Sequence, residues 1–220
     1  MKQEQKHAEW VPKTELGRQV VAGRFDSLES VLKHGHVILE SEIVDALVHD
    51  IEHEVIYIGG SPGKGGGIRR TATKRTARMH KSGRRYKLTA MIVAGNRNGL
   101  LGIGVSNSKE HRIAIEKALL HAKLNIIRVR RGCGNWECAC GGLHSVPFKA
   151  SGKAGSVTAI LSPAPKGVGI VANQSVRQML ALAGIKDIWV YTSGQTQTRN
   201  NLVLAVFEAL KNLNSTKGEL

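Results

Sequence analysis

Acidic residues are missing from most of this chain. No Asp or Glu occurs from Val55 to Lys109, and none from Cys138 to Lys186. Aromatic residues make up only 4% of the 220 residues, so Leu, Ile, Val and Ala must fill any core. No run of about 18 apolar residues exists, which excludes a membrane-spanning helix. The opening Met-Lys-Gln-Glu-Gln-Lys-His lacks the apolar stretch of a secretory signal. Cysteine is limited to three residues, all between Cys133 and Cys140. Three clustered cysteines make no disulfide framework and point to a reducing cytoplasm. Catalytic patterns are equally scarce. None of the nine histidines falls in H-E-x-x-H, no serine sits in a G-x-S-x-G elbow, and no carboxylate pair stands out for hydrolysis. Ile51-Glu52-His53-Glu54 reads as the end of an acidic surface helix. A non-enzyme is expected.

What the chain does have is positive charge, unevenly placed. Its formal net charge is +15 and its pI about 10.1. Residues 1–54 hold 11 acids against 6 Lys/Arg, a net of −5, whereas residues 55–220 hold 6 acids against 26 Lys/Arg, a net of +20. An ordinary solvated surface interleaves both signs. Long acid-free stretches read instead as surfaces pressed against a polyanion. The densest cluster is Lys64, Arg69, Arg70, Lys74, Arg75, Arg78, Lys81, Arg84, Arg85 and Lys87. Arginine suits phosphate because its planar fork donates two parallel hydrogen bonds. A-form RNA hides its base edges in a deep, narrow groove, so shape and backbone readout is expected. A solvated, partnerless loop is the plainer alternative for such a cluster.

Pattern along the chain predicts an α+β protein. Residues 1–40 read as an N-terminal extension with little independent core. Residues 41–128 follow as a first domain. Ser41 is the expected cap of a helix carrying Ile43, Ala46 and Leu47, and Val55 to Ile58 is β-prone. Residues 59–85 read as a Gly-rich, then basic, loop insertion that is not expected to pack. Tyr86 to Ala94 and Leu100 to Val105 read as strands joined by the hairpin signal Asn96-Arg97-Asn98-Gly99. Gly102 and Gly104 leave one face of the return strand poor in side chains. Ser108 is the expected cap of a long helix with Ile115, Leu119, Ala122 and Ile126 on its apolar face. The order α-β-β-β-α is that of a double-stranded-RNA-binding domain. Residues 129–145 read as a Gly/Cys-rich linker. A second domain over 146–220 is expected to hold strands at Val146–Ala150, Val157–Leu161 and Ile188–Tyr191. Helices are expected at Val176–Ala183, ended by Gly184, and from Asn200 or Asn201 onward.

Two local motifs invite a ligand. Gly59-Gly60-Ser61-Pro62-Gly63-Lys64-Gly65-Gly66-Gly67 superficially resembles a phosphate-cradling loop. However, Gly63-Lys64 is not followed by Ser or Thr, the glycine spacing is one residue short, and no helix plainly follows. Cys133, Cys138, Cys140 and His144 supply three thiolates and one imidazole within 12 residues, a complete tetrahedral zinc set. Their spacing lacks the usual C-x2-C knuckle, so a structural zinc and free thiols both stand as readings. No other cofactor is expected.

Several stretches taken together resemble the ribosomal protein S-five family in its archaeal and eukaryotic branch. Met79-His80-Lys81-Ser82-Gly83-Arg84-Arg85, the hairpin at Gly95 to Gly99 and Ala122-Lys123-Leu124-Asn125 are similar to its first domain. Pro163-Ala164-Pro165-Lys166-Gly167-Val168-Gly169, Ala183-Gly184-Ile185-Lys186-Asp187 and Thr192-Ser193-Gly194 are similar to its second. Glu9-Trp10-Val11-Pro12-Lys13-Thr14 looks like the archaeal form of its extension. The resemblance covers about 200 residues, in order. Gly59 to Ala77 looks like an insertion relative to that pattern.

The resemblance implies a double-stranded-RNA-binding-like domain followed by an α/β-sandwich of the S-five C-terminal type. It implies a structural constituent of the small ribosomal subunit that binds small-subunit rRNA in the cytoplasm. It further implies neighbours in ribosomal proteins S-four and S-eight, a place beside the path of incoming mRNA, and a part in translational accuracy. Membranes and small-molecule substrates are not expected partners. Gly83, Arg97, Lys123, Arg128, Arg130, Arg131 and Lys166 then join the basic cluster as candidate RNA contacts. A free-standing double-stranded-RNA-binding regulator is the alternative. An RNA-modifying enzyme would need acids near metal or phosphate, which the long acid-free stretches deny it.

Overall fold

Ala90-Met91-Ile92-Val93-Ala94 is a run of five apolar residues, all fully buried. A strand covered on one face alternates apolar with polar, and a continuous run signals cover on both. The computed structural model, which describes residues 10–138 and 140–215, shows both covers. Three helices come first: α1 (Glu15–Val21), α2 (Leu28–Lys33) and α3 (Ser41–Leu47). Strands β1 (Glu52–Val55), β2 (Gly59–Pro62), β3 (Ile68–Thr71), β4 (Thr73–His80), β5 (Gly83–Gly95) and β6 (Leu100–Ser108) lead to α4 (His111–Leu124) and β7 (Ile126–Arg128). These strands form an antiparallel sheet in the order β1-β5-β6-β7. β4 pairs with the N-terminal half of β5 on the side where β1 pairs with its C-terminal half. β2 and β3 form a separate two-stranded ribbon.

The second lobe holds β8 (Ala150–Ala154), β9 (Val157–Pro163), β10 (Ile170–Val171), α5 (Gln174–Leu182), β11 (Ile188–Ser193) and α6 (Arg199–Asn212). Its sheet runs β10-β11-β9-β8, with β10 parallel to β11 and the other pairs antiparallel. The molecule is therefore α+β, as the sequence pattern predicts, with a five-stranded sheet, a four-stranded sheet and the small β2–β3 ribbon.

Alternate residues of β5 serve the two covers. Ala90 and Ile92 pack on Ala114 and Ala118 of α4. Met91 and Val93 join Leu101, Ile103 and the buried residues of α5, β9 and α6 in one continuous core. The lobes thus share their largest apolar cluster. The helix–sheet contacts use small residues on both sides. A Cβ on Gly104 would lie 1.9 Å from the Ala118 carbonyl oxygen, and one on Gly152 would lie 2.2 Å from that of Ala205. The apolar face of α4 centres on Ala114, Ala118 and Ala122, all fully buried, with the expected Ile115 and Leu119 half-buried beside it; Ile126 belongs to β7. Bulky side chains there would hold the helix off the glycines.

Other expectations are also corrected. Residues 59–85 are strands β2, β3, β4 and the start of β5 rather than a loop. β4 takes its register from β5, while β2 and β3 pair only with each other. The residue before α3 is Glu40 and the residue before α4 is Glu110, so Ser41 lies inside its helix and Ser108 ends β6. The strand expected at Val146–Ala150 begins only at Ala150.

The N-terminal stretch shares a core with the body. Leu28, Ile38 and Val20 cluster with Ile43 and Val44 of α3, Leu100 and Ile126. Glu40 clasps this stretch to α3. It accepts from Trp10 Nε1 at 3.0 Å and from the backbone N–H groups of Lys13 and Thr14 at 2.9 and 2.6 Å. Burial pushes the Glu40 carboxyl up, but the hydrogen bonds from Thr14, Lys13 and Trp10 outweigh it and hold the group below the ordinary glutamate value.

Candidate nucleic-acid interface

The first half of β5 and all but the first residue of β4 stand clear of the sheet. Residues 74–80 and 83–87 are exposed, forming a two-stranded ribbon that projects about 20 Å. Gly83, at φ +108°, closes its tip, a conformation that costs glycine little. Residues directly opposite in an antiparallel pair share a face. One face therefore carries Lys74, Thr76, Arg78, Arg85, Lys87 and Thr89. The other carries Arg75, Met79, Arg84 and Tyr86. The Arg75 and Arg84 guanidiniums lie 4.7 and 5.2 Å from the centre of the Tyr86 ring, within cation–π range.

Arg78 sits directly opposite Arg85, a like-charge pair that destabilises a hairpin. Apart from a 3.0 Å bond from Arg85 to the Ser82 hydroxyl, these two cations have little to hold them within the chain. Among the described residues, none of the ten cations from Lys64 to Lys87 makes an ion pair. Lys81 lies at the ribbon tip. Lys64 lies in the turn between β2 and β3, and Arg69 and Arg70 lie on β3. Arg70 also faces Arg199, the first residue of α6. Burial and then the Arg70 charge both disfavour the protonated form of Arg199, whose Nη1 donates to the Tyr57 carbonyl at 3.1 Å. The two cations bring the β3 strand and the second lobe to one electropositive spot.

The remaining candidate cations are placed differently. Arg97 pairs with Glu52 at 2.6 Å, and Arg128 lies 3.8 Å from Glu29. Lys123, largely buried, pairs with Asp45 at 2.7 Å. Its charge is thus partnered by an acid of the N-terminal stretch. Arg131 donates to the Asn98 carbonyl and side chain at 3.1 and 2.7 Å. Arg130 is half-buried in the connection between lobes, and Lys166 lies in the loop between β9 and β10.

Sequence reasoning passed over Tyr86 and Arg199. The alternation Arg84-Arg85-Tyr86-Lys87 carries the signal for the first. The second depends on a contact between residues far apart in sequence. It also passed over an open cleft of about 530 Å³ lined by Trp136, Trp189, Tyr191 and Lys149. Trp136 is 90% exposed. Aromatic rings beside a lysine suit a stacked base.

The cysteines and His144 do come together. Their four ligand atoms lie within 4.8 Å of one another. A backbone hydrogen bond from Lys166, aided by Cys140, pulls the Cys138 thiol down to about 6, whereas burial and the neighbouring thiols push Cys133 up. No helix among the described residues is long and apolar enough to cross a membrane.

Comparison with known proteins agrees along nearly the whole chain. The family model for ribosomal protein S5, N-terminal domain, matches residues 69–130, and that for ribosomal protein S5, C-terminal domain, matches residues 152–220. The small ribosomal subunit protein uS5 of Methanocaldococcus jannaschii is 48% identical over 209 residues, covering 95% of this chain and 89% of that relative. That of Nanoarchaeum equitans is 47% identical over 211 residues, with 95% and 90% covered. That of Ignicoccus hospitalis is 45% identical over 203 residues, with 92% and 89% covered.

Proposed function

The chain belongs to the uS5 family of small ribosomal subunit proteins, and from that premise we propose that its β4–β5 ribbon, with the β2–β3 hairpin beside it, grips folded small-subunit rRNA. The protein is a non-enzymatic structural constituent of the small subunit of the cytoplasmic ribosome. The observation that carries the RNA reading is a projecting ribbon of cations without counter-charges, with Arg78 opposite Arg85. Such a ribbon is stabilised when phosphates settle between its guanidiniums.

Lys64, Arg69, Arg70, Lys74, Arg75, Arg78, Lys81, Arg84, Arg85 and Lys87 take the phosphate contacts in this reading. Gly83 keeps the tip narrow, and Lys166, Arg130 and Arg131 extend the basic surface toward the second lobe. Arg97 and Arg128 are only partly engaged by their acids and remain open to rRNA at the edge. The reading extends, as family members would have it, to neighbours S-four and S-eight, a position beside incoming mRNA and a contribution to translational accuracy.

The test is binding of the purified chain to a small-subunit rRNA fragment across a salt series. Arg84→Ala with Arg85→Ala is expected to weaken binding and flatten the dependence of log K on log salt by up to about 0.9 per lost phosphate contact, the duplex DNA value. An unchanged slope removes the ribbon from the interface. Sedimentation of cell extract addresses the alternative of a free-standing RNA-binding regulator, which predicts protein outside the small subunit.

A further inference from the structure

We propose that Cys133, Cys138, Cys140 and His144 hold a structural zinc ion that locks the connection between the lobes onto the second lobe. The four ligand atoms lie within 4.8 Å of one another. A tetrahedral zinc with bonds of about 2.0–2.3 Å needs neighbouring ligand atoms about 3.3–3.8 Å apart. The Cys138 Sγ to His144 Nε2 distance is already 3.7 Å.

The histidine is the decisive element. His144 is buried, and its Nδ1 lies 2.9 Å from Asp187 Oδ2. Asp187 Oδ1 in turn accepts from the Gly167 N–H at 3.0 Å and the Gly169 N–H at 2.8 Å. With Nδ1 turned to Asp187, Nε2 is turned to the Cys138 thiol. This carboxylate–histidine arrangement orients metal-bound imidazoles generally.

The backbone is equally committed. The His144 carbonyl accepts from the Lys186 and Asp187 N–H groups, and Gly132 pairs with Ser145, which brings Cys133 back beside His144. Three thiols and one imidazole in a closed tetrahedral set leave no open position for substrate. Soft sulfur donors with one nitrogen favour zinc over harder cations. The ion acts structurally, tying residues 132–145 to Asp187 and, through it, to the Gly167–Gly169 loop.

The test uses the full chain, purified after expression in zinc-supplemented medium. Elemental analysis is expected to find about one zinc per chain, with the thiols protected from alkylation until a chelator is added. Cobalt(II) added to the chelated chain is expected to give the absorption of a tetrahedral thiolate site. Asp187→Asn, a positioning change, is expected to weaken zinc retention about 10- to 100-fold in chelator competition while leaving the ion tetrahedral. Less than about a tenth of an equivalent of zinc together with freely alkylated thiols overturns the proposal. So does a disulfide between two of the cysteines in the freshly purified chain. Because metal content is read without RNA, failure here leaves the RNA reading standing, and the reverse also holds.

Discussion

Along β5, Gly83 to Lys87 are exposed and carry three of the chain's cations, whereas Ala90 to Ala94 lose all their accessible surface. The same strand is a charged arm at one end and a root packed on both faces at the other. Stability sits in the root, because that is where apolar area leaves water. Charge sits in the arm, where among the described residues no ion pair within the fold competes for it. The root sets the direction of the arm through continuous register with β4 and β6. Binding and folding should therefore respond to different substitutions.

The largest effect is expected in the root. Met91→Ala removes a fully buried side chain from the shared core and should lower unfolding free energy by about 2–5 kcal/mol. A denaturant titration reads this, and an unmoved midpoint would break the distinction between arm and root. Next comes Arg85→Glu in the arm. It turns the like-charged pair with Arg78 into an attractive one, which should leave stability unchanged or raise it by about 0.2–1 kcal/mol. The same change should weaken rRNA binding and reduce its salt slope by at least about one contact. Opposite signs for folding and binding would sharpen the comparison; parallel losses would refute it.

The smallest effect belongs to a third region, where the Glu40 carboxylate accepts hydrogen bonds from Trp10, Lys13 and Thr14. The folded pKa of Glu40 is depressed, so its contribution is present above the unfolded glutamate value and lost as pH falls through the folded one. Glu40→Gln should lower stability modestly at neutral pH and flatten the acid limb of the stability profile. Thermal melts between neutral and acidic pH would show it, and an unaltered acid limb would separate Glu40 from the clasp.

Much of this was legible in the residues. The Asn-Arg-Asn-Gly turn, the β6 glycines and Gly184 are local signals, and each corresponds to the observed turn, close packing or helix end. Cys133, Cys138, Cys140 and His144 converge as their short spacing allows. The β strands between residues 59 and 85 were illegible because they bury almost nothing; without apolar alternation, pairing along β5 or between β2 and β3 leaves no periodic trace. The run Ala90–Ala94 reads as a strand, but that both its faces are covered, one by a distant lobe, is set by tertiary packing. Trp10 meeting Glu40, and Arg199 meeting the Tyr57 carbonyl, depend on tertiary contacts that composition does not encode.

The turn between β5 and β6 donates across the lobes: Arg97 N–H to the Leu182 carbonyl at 2.9 Å and Gly99 N–H to the Ala183 carbonyl at 3.1 Å. These are carbonyls that the end of a helix leaves without partners of its own. One lobe thus finishes the helix of the other. A pull on the ribbon would be felt at α5, and calorimetry should record a single cooperative transition for the whole chain rather than two.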